Sequence, residues 1–507
     1  MSNLSELLPS GGGQNVGSFV ASGTIANGQL VGLRSDGKVE AITATAEAAT
    51  TEANFTSTSI WDGSNQSTIA SVYDVNADRV VQFYASTTST QYLTGVVSTP
   101  TASGLTNFGT PVVINSADSE FISAVYHVAA QKTAVGFRDG GAGNYGRAYV
   151  ITVDPSDNSL TFGAEASFPN AEDVIGVSST YDSTNEKAIF SYMTTNGDFG
   201  RGLAGTISGT SISFGSTSTF GNVGATGQVA YWTSVVYEAN SNSVTVFFAR
   251  KDQSNNLYCN VGQVSGTSWN TGSDILVDNS FGVQNANLTS VADTNSNKIV
   301  VFYSNANNGD GYGVVGTPTY ASNVGSATFG TPVEFTARST GSSFNASAMS
   351  CAFDSTNNQV VVIFRNNGAS DQPYVSAGTV NGTALTFAEG FQLTTTKGLC
   401  CSLIFVPTIN KFVGSYREEP SPYYGKYVLY NVASDNISSF IGLAGQAISD
   451  TATGNIDMLG GINSQQTSLT IASKYYIQSN GTLGTTSTST FVGQAVNGTT
   501  LNIRDAT

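Results

Sequence analysis

One feature constrains this chain more than any other: a unit of 52 to 61 residues recurs seven times between about residues 70 and 417. Aligned copies carry an aromatic at Tyr73, Tyr126, Tyr181, Tyr237, Phe353 and Phe405, with Ala292 in the remaining copy. Six residues on comes Arg79, Lys132, Lys187, Ser243, Lys298, Gln359 or Lys411. Eleven residues on, all seven copies are aromatic, at Tyr84, Phe137, Tyr192, Phe248, Tyr303, Phe364 and Tyr416. Composition alone does not place seven aromatics at one offset. A period of this length points to propellers or arrays, in which one unit cannot cover its own apolar faces and must stack on the next.

Each copy reads as strand, tight turn, strand. The D-x-x-N stretch supplies side chains that form Asx-turns and tolerate left-handed backbone, and a β-branched and aromatic run follows it. A glycine-containing third strand comes next, as in LTGVVST (93–99) and LAGTISG (203–209). Six copies add a fourth, such as NFGTPVVI (107–114), LTFGAEASF (160–168) and ATFGTPVEF (327–335). Four antiparallel strands per unit make a propeller blade. The expected fold is therefore all-β: a seven-bladed β-propeller of four-stranded antiparallel blades over residues 46–435. The seventh copy lacks its fourth strand, but EANFTSTSI (52–60) has the right character. Supplied from the N-terminal side, it would close the ring and remove the open sheet edges that invite aggregation.

Closure would bring residues near 50 and 435 together, so the flanks should emerge side by side. Residues 16–45, with turns at Ala26-Asn27-Gly28 and Ser35-Asp36-Gly37, are expected to combine with 436–507 into one small β-domain. Residues 1–15 contain SELLPSGGG, a short apolar plug on a glycine run that reads as an anchor for another subunit or as a frayed terminus.

The balance of 19 basic against 35 acidic residues gives a net charge of −16, which argues against phosphate backbones and anionic lipid as partners. Charged residues are only 11% of the chain, so hydroxyls and amides must cover the surface. No run reaches the ~18 apolar residues of a spanning helix, so membrane insertion is not expected. The N-terminus has neither the basic nor the apolar region of a secretory leader. Cys259, Cys351, Cys400 and Cys401 lack metal-ligand spacing and read as buried small hydrophobes of a protein made in a reducing cytosol.

The inventory also narrows the chemistry. The one histidine, His127, stands where other copies have Asp or Glu and reads as a variant turn residue, which removes the anchor of triad and His–metal chemistry. No convincing helix follows a glycine-rich stretch, so phosphate loops are not expected. Neither cofactor nor metal is implied. Paired carboxylates remain, because Asp139, Asp252, Glu418 and Glu419 follow the second strands of their units. Beside them lie Arg138, Arg250, Arg365 and Arg417, which on one rim of a propeller could grip carboxylates or sulfates; the alternative is pairing with the adjacent acids. Sialidases use such an arginine cluster on six-bladed propellers, but their S-x-D-x-G-x-x-W boxes are absent here.

The flanks add a resemblance. SELLPSGGGQN with ASGTIANGQLVGLRSDGKVEAI, and FIGLAGQAISDTATGNI with SLTIASKYYIQSNGTLGTT, resemble the flanking modules of virion structural proteins from tailed marine bacteriophages, cyanophages in particular. The resemblance covers about 110 residues and implies assembly in a host cytosol and a place on a tail, fibre or capsid surface. It implies other virion proteins as partners, leaves room for a homo-oligomer, and makes the propeller a head that touches a host surface glycan or receptor. On this reading the protein is not an enzyme. Two alternatives stand beside it: a glycan depolymerase acting at the arginine rim, and a non-catalytic carbohydrate-binding module.

Overall fold

In the computed structural model the described residues are 15–504, apart from 35, 46, 61–68, 88–90, 224–225, 228, 338–345, 436, 479–480 and 489. The anchor expected over 1–15 thus lies, except for Asn15, outside the described residues. The chain is all-β, with 64% of residues in strands and short 3-10 turns as its helical segments among the described residues. No helix there is long and apolar enough to cross a membrane.

The chain divides into two units, residues 49–430 and a second made from 1–48 with 431–507. Among its described residues the larger unit has seven successive antiparallel sheets, the first two joined into one of nine strands, whose first strands are Ile69–Asp74, Val112–His127, Val174–Asp182, Val229–Glu238, Val283–Asp293, Ala346–Asp354 and Lys397–Val406. Each pairs with the strand after it, that strand with a third, and the third with an outer fourth. Val112–His127 is long enough to pair with Tyr92–Thr101 in the first sheet before it opens the second. In the seventh sheet the fourth position is filled from the N-terminal side: Ala53–Ser59 pairs antiparallel to Tyr424–Asn431, with Lys426 opposite Asn54. First strands pack against the first strands of the sheets before and after them, and Lys397–Val406 packs against Ile69–Asp74, so the order of neighbours returns to its start.

Burial follows the repeat. The seven aromatics of the second strands, Tyr84 through Tyr416, are all buried between neighbouring sheets. Aromatics at the first aligned position are mostly half-buried, because several place hydroxyls on turns. Tyr73 bonds Asp78 and Thr408, Tyr181 accepts from the Ala129 N–H, and Tyr237 bonds Thr184 and Asn242, so each reaches the turn of the preceding sheet.

Farther out, the Phe-Gly pair of the fourth strands has a steric cause. A Cβ on Gly109, Gly163, Gly215 or Gly330 would run into the carbonyl of Asn158, Thr210, Thr267 or Thr383, each in the turn between third and fourth strands of the next sheet. The sixth sheet has Ala388 there instead. It is tolerated because the seventh sheet takes its fourth strand from residues 53–59 and has no such turn.

Among its described residues the smaller unit has two five-stranded sheets and a short pairing of Ala44–Thr45 with Ser434–Asp435. One interleaves both flanks in the order Val16–Val20, Thr453–Met458, Phe440–Ala444, Leu30–Leu33, Val39–Ala41. The other is wholly C-terminal and includes Lys474–Ile477, Phe491–Ala495 and Leu501–Ile503. Leu30, Ile42 and Leu443 from the first meet Ile477, Val492 and Leu501 from the second in a shared core.

Candidate functional site

Three groups of polar side chains in the larger unit are built by the repeat: one where first strands meet, one at the turns after them, and one at the opposite ends of the second strands. The first was not anticipated from sequence. Three residues before the aligned aromatic lie Ser123, Ser178, Ser234, Thr289, Ser350 and Ser402, with Ala70 in the first copy. In six of the first strands the pairing register breaks just before this position. A bulge of this kind re-aims the following side chains.

The hydroxyls join one sheet to the next. Ser71, Val235 and Leu403 donate backbone N–H groups to Ser402, Ser178 and Ser350 at 3.0, 3.1 and 3.1 Å. Ser123 bonds Ser179 at 2.8 Å, Ser234 bonds Ser290 at 2.7 Å, and Thr289 contacts Cys351 Sγ at 3.2 Å. These bonds span six of the seven junctions; the seventh, between the first two sheets, is where Ala70 stands. They surround a cavity of about 240 Å³ reached by first strands of all seven sheets. Its hydroxyls already serve junctions, so this cavity is first of all a seam of the fold.

The turns repeat as closely. Asp74, Asp182, Glu238, Asp293 and Asp354 each accept two backbone N–H groups of their own turn. His127 does the same work with a ring nitrogen: Nδ1 accepts from the Ala130 N–H at 3.1 Å and Nε2 lies 3.0 Å from the Glu186 carbonyl. One tautomer serves both contacts, with the proton on Nε2. His127 is a buried turn residue, as its sequence position implied. Each turn ends on Asp78, Gln131, Glu186, Asn242, Asn297, Asn358 or Asn410, all left-handed with φ between 47° and 56°.

The third group holds the four arginines singled out from sequence. They sit at one end of the second strands of the second, fourth, sixth and seventh sheets, and each meets a carboxylate. Arg138 lies 2.8 Å from Glu120 and 3.5 Å from Asp173 of the next sheet. Arg250 grips Asp252 through two 2.8 Å bonds and lies over the Tyr258 ring at 5.0 Å. Arg365 reaches Asp371 at 2.8 Å. Arg417, with a side chain only 1% exposed, reaches Glu419 at 2.5 Å and lies over Tyr423 at 4.8 Å. An outside anion would have to displace these partners.

The acids named beside them are also engaged: Asp139 accepts from the Gly141 N–H, and Glu418 lies 3.1 Å from Lys426. Bonds from Arg250 hold the Asp252 carboxyl below the usual range, despite some desolvation. Burial pushes Asp118 and Glu120 up, with Arg138 opposing in both cases. Sequence reasoning passed over Arg147, Arg201 and Lys426, which carry the pairing onto the third strands with Glu165, Glu172 and Glu418. Their signal was the acids within the same units.

Cys259 and Cys401 are buried as expected, whereas Cys351 is half-buried. Cys400's side chain lies outside the described residues. Burial pushes the Cys351 thiol up to about 12, away from a reactive thiolate. Among the described residues, no three His, Cys, Asp or Glu side chains are grouped to hold a metal ion.

No family model matches this chain, and no curated protein matches it. Solved structures do. The fucose-specific lectin from Aleuria aurantia aligns at 12% identity and a TM-score of 0.39, over 67% of this chain and 98% of the lectin. AofleA from Arthrobotrys oligospora aligns at 8% and 0.39, over 66% and 88%. A mutant of Trypanosoma rangeli sialidase displaying trans-sialidase activity aligns at 8% and 0.39, over 83% and 59%. Likenesses this distant fix neither a ligand nor an activity.

Proposed function

We propose that residues 49–430 form a seven-bladed β-propeller that works as a non-catalytic carbohydrate-binding module. The blade reading is supported by seven successive sheets whose first strands follow one another back to the start, the seventh completed by Ala53–Ser59. The binding reading is carried by one observation: the rim arginines are paired with carboxylates and two lie over tyrosine rings. Such a rim has its charges matched internally, which suits a neutral polyhydroxyl ligand better than an anion.

Cleavage is the weaker reading. A glycosidase needs a carboxyl that is protonated yet free to give up its proton. Asp252 is held low by Arg250, and Glu120, though raised by burial, is tied to Arg138. The full chain printed against an array of host and microbial glycans should retain a subset without producing new reducing ends. Failure to retain any glycan, or release of reducing ends, would refute the proposal.

A second reading concerns location. The likeness of both flanks to modules of tailed-phage virion proteins favours a particle component, held by the smaller unit and displaying the propeller. It rests on that likeness alone. Mass spectrometry of purified particles tests it, and absence of the polypeptide would dismiss it.

A further inference from the structure

We propose that the recess between the third and fourth sheets, beside Arg250, binds one neutral sugar ring; this deepens the carbohydrate-binding reading and rests on it. The recess measures about 350 Å³. That is near the lower end of the ~300–1,000 Å³ of small-ligand pockets, room for one ring and little more. Phe220 and Gly221 of the third sheet form one side, and Arg250, Asn260, Gly272 and Asp274 of the fourth the other.

Two glycines keep it open. Gly221 has φ of 62°, and a Cβ there would strike Val229. A Cβ on Gly272 would come within 2.7 Å of the Val261 carbonyl. Neither position can carry a side chain to fill the space.

The polar groups are fixed and incompletely used. Asp274 Oδ1 accepts from the Gly221 N–H at 3.2 Å and from Asn260 Nδ2 at 3.1 Å, and Asn260 is itself buried. Its other oxygen, Oδ2, lies 3.7 Å from Arg250 Nη1, beyond direct hydrogen bonding. Asp252 holds Arg250 Nε and Nη2, so the guanidinium cannot swing to close that gap. A hydroxyl between them would accept from Nη1 and donate to Oδ2, satisfying both with one group. Ser273, exposed at the mouth, supplies a further hydroxyl.

Charge sets the ligand class. Within the recess Arg250 is matched by Asp274, and Asp252 also holds the same guanidinium, so no unmatched cation is left to draw in a carboxylate or sulfate. That departs from the anion grip expected of Arg250 from sequence. The other three arginines have carboxylate partners of their own.

Ligand-observed NMR with the full chain tests the site, using glucose, galactose, mannose and fucose as neutral probes and N-acetylneuraminic acid as the charged one. At least one neutral sugar should saturate and the acid should not. Asp274→Asn should weaken binding about tenfold or more, the loss of a hydrogen bond to a charged group. Ser273→Trp, at an exposed position, should block the mouth while preserving every buried partner and the thermal midpoint. Unchanged sugar binding in Ser273→Trp would overturn the site and leave the wider reading intact. Preference for the acid would overturn it as well. If neither these sugars nor any arrayed glycan is retained, the site and the reading beneath it fail together.

Discussion

Glu52 fastens the N-terminal side of the larger unit to its last two sheets, and removing it gives a pH-dependent loss of stability that the structure allows to be worked out. Its carboxylate accepts from Thr394 at 2.6 Å, Thr396 at 2.7 Å and Tyr416 at 2.5 Å, and Lys426 lies 4.0 Å away. Burial pushes the carboxyl up, but those hydrogen bonds and the Lys426 charge outweigh it and hold it below its usual range. Hydrogen bonds to a charged group contribute about 1.5–3 kcal/mol each and are not additive. In Glu52→Ala the half-buried threonines can turn to water, whereas the hydroxyl of fully buried Tyr416 cannot. The net cost is about 2–4 kcal/mol, and Glu52→Gln, which keeps an acceptor oxygen, should cost about half that.

A lowered folded pKa means the contribution is complete above the unfolded value of about 4.3 and is lost as pH falls through the folded one. Urea unfolding should therefore show a wide gap between wild type and Glu52→Ala at pH 7 and a narrower one near ~pH 3. A gap below about 0.5 kcal/mol at pH 7, or one equal at both pH values, would refute the assignment of Glu52 as the clasp.

Four further substitutions probe the repeat. Ala70→Ser places a hydroxyl at the one junction lacking it, opposite the Ala124 N–H, and should raise unfolding stability by about 0.5–1.5 kcal/mol; a loss would mean that the junction cannot admit it. Gly163→Ala drives a Cβ into the Thr210 carbonyl and should cost about 1–3 kcal/mol, whereas Ala388→Gly, facing no such turn, should cost no more than ~1 kcal/mol. Glu186→Asn relieves an exposed left-handed residue using the side chain that four other copies carry, and should raise the thermal midpoint through about 0.5–1 kcal/mol.

Much of the fold was legible because the repeat writes each local rule seven times. The second-strand aromatics, the Asx-turns and the stand-in role of His127 follow from residues a few positions apart, and strand 52–60 was legible from a gap in the pattern. The hydroxyl seam was readable in principle, since six copies carry Ser or Thr three residues before the aromatic. Its purpose was not, because a hydroxyl that accepts a neighbour's N–H has no local signature. The rim arginines show the limit most clearly. Sequence placed them at equivalent strand ends beside acids, and both readings of that pattern, anion grip and ion pair, were physically sound.

The sequence by itself determined what depends on alternation and short turns: an all-β chain built on a seven-fold repeat of strand, tight turn and strand. Only the tertiary structure decided what depends on neighbouring sheets: that Gly163 must yield to a carbonyl 47 residues away, that Arg250 stops 3.7 Å short of Asp274, and that Tyr416 bonds Glu52. Hydrogen bonds and steric contacts act over a few ångströms in space, and separation along the chain does not encode which groups come that close.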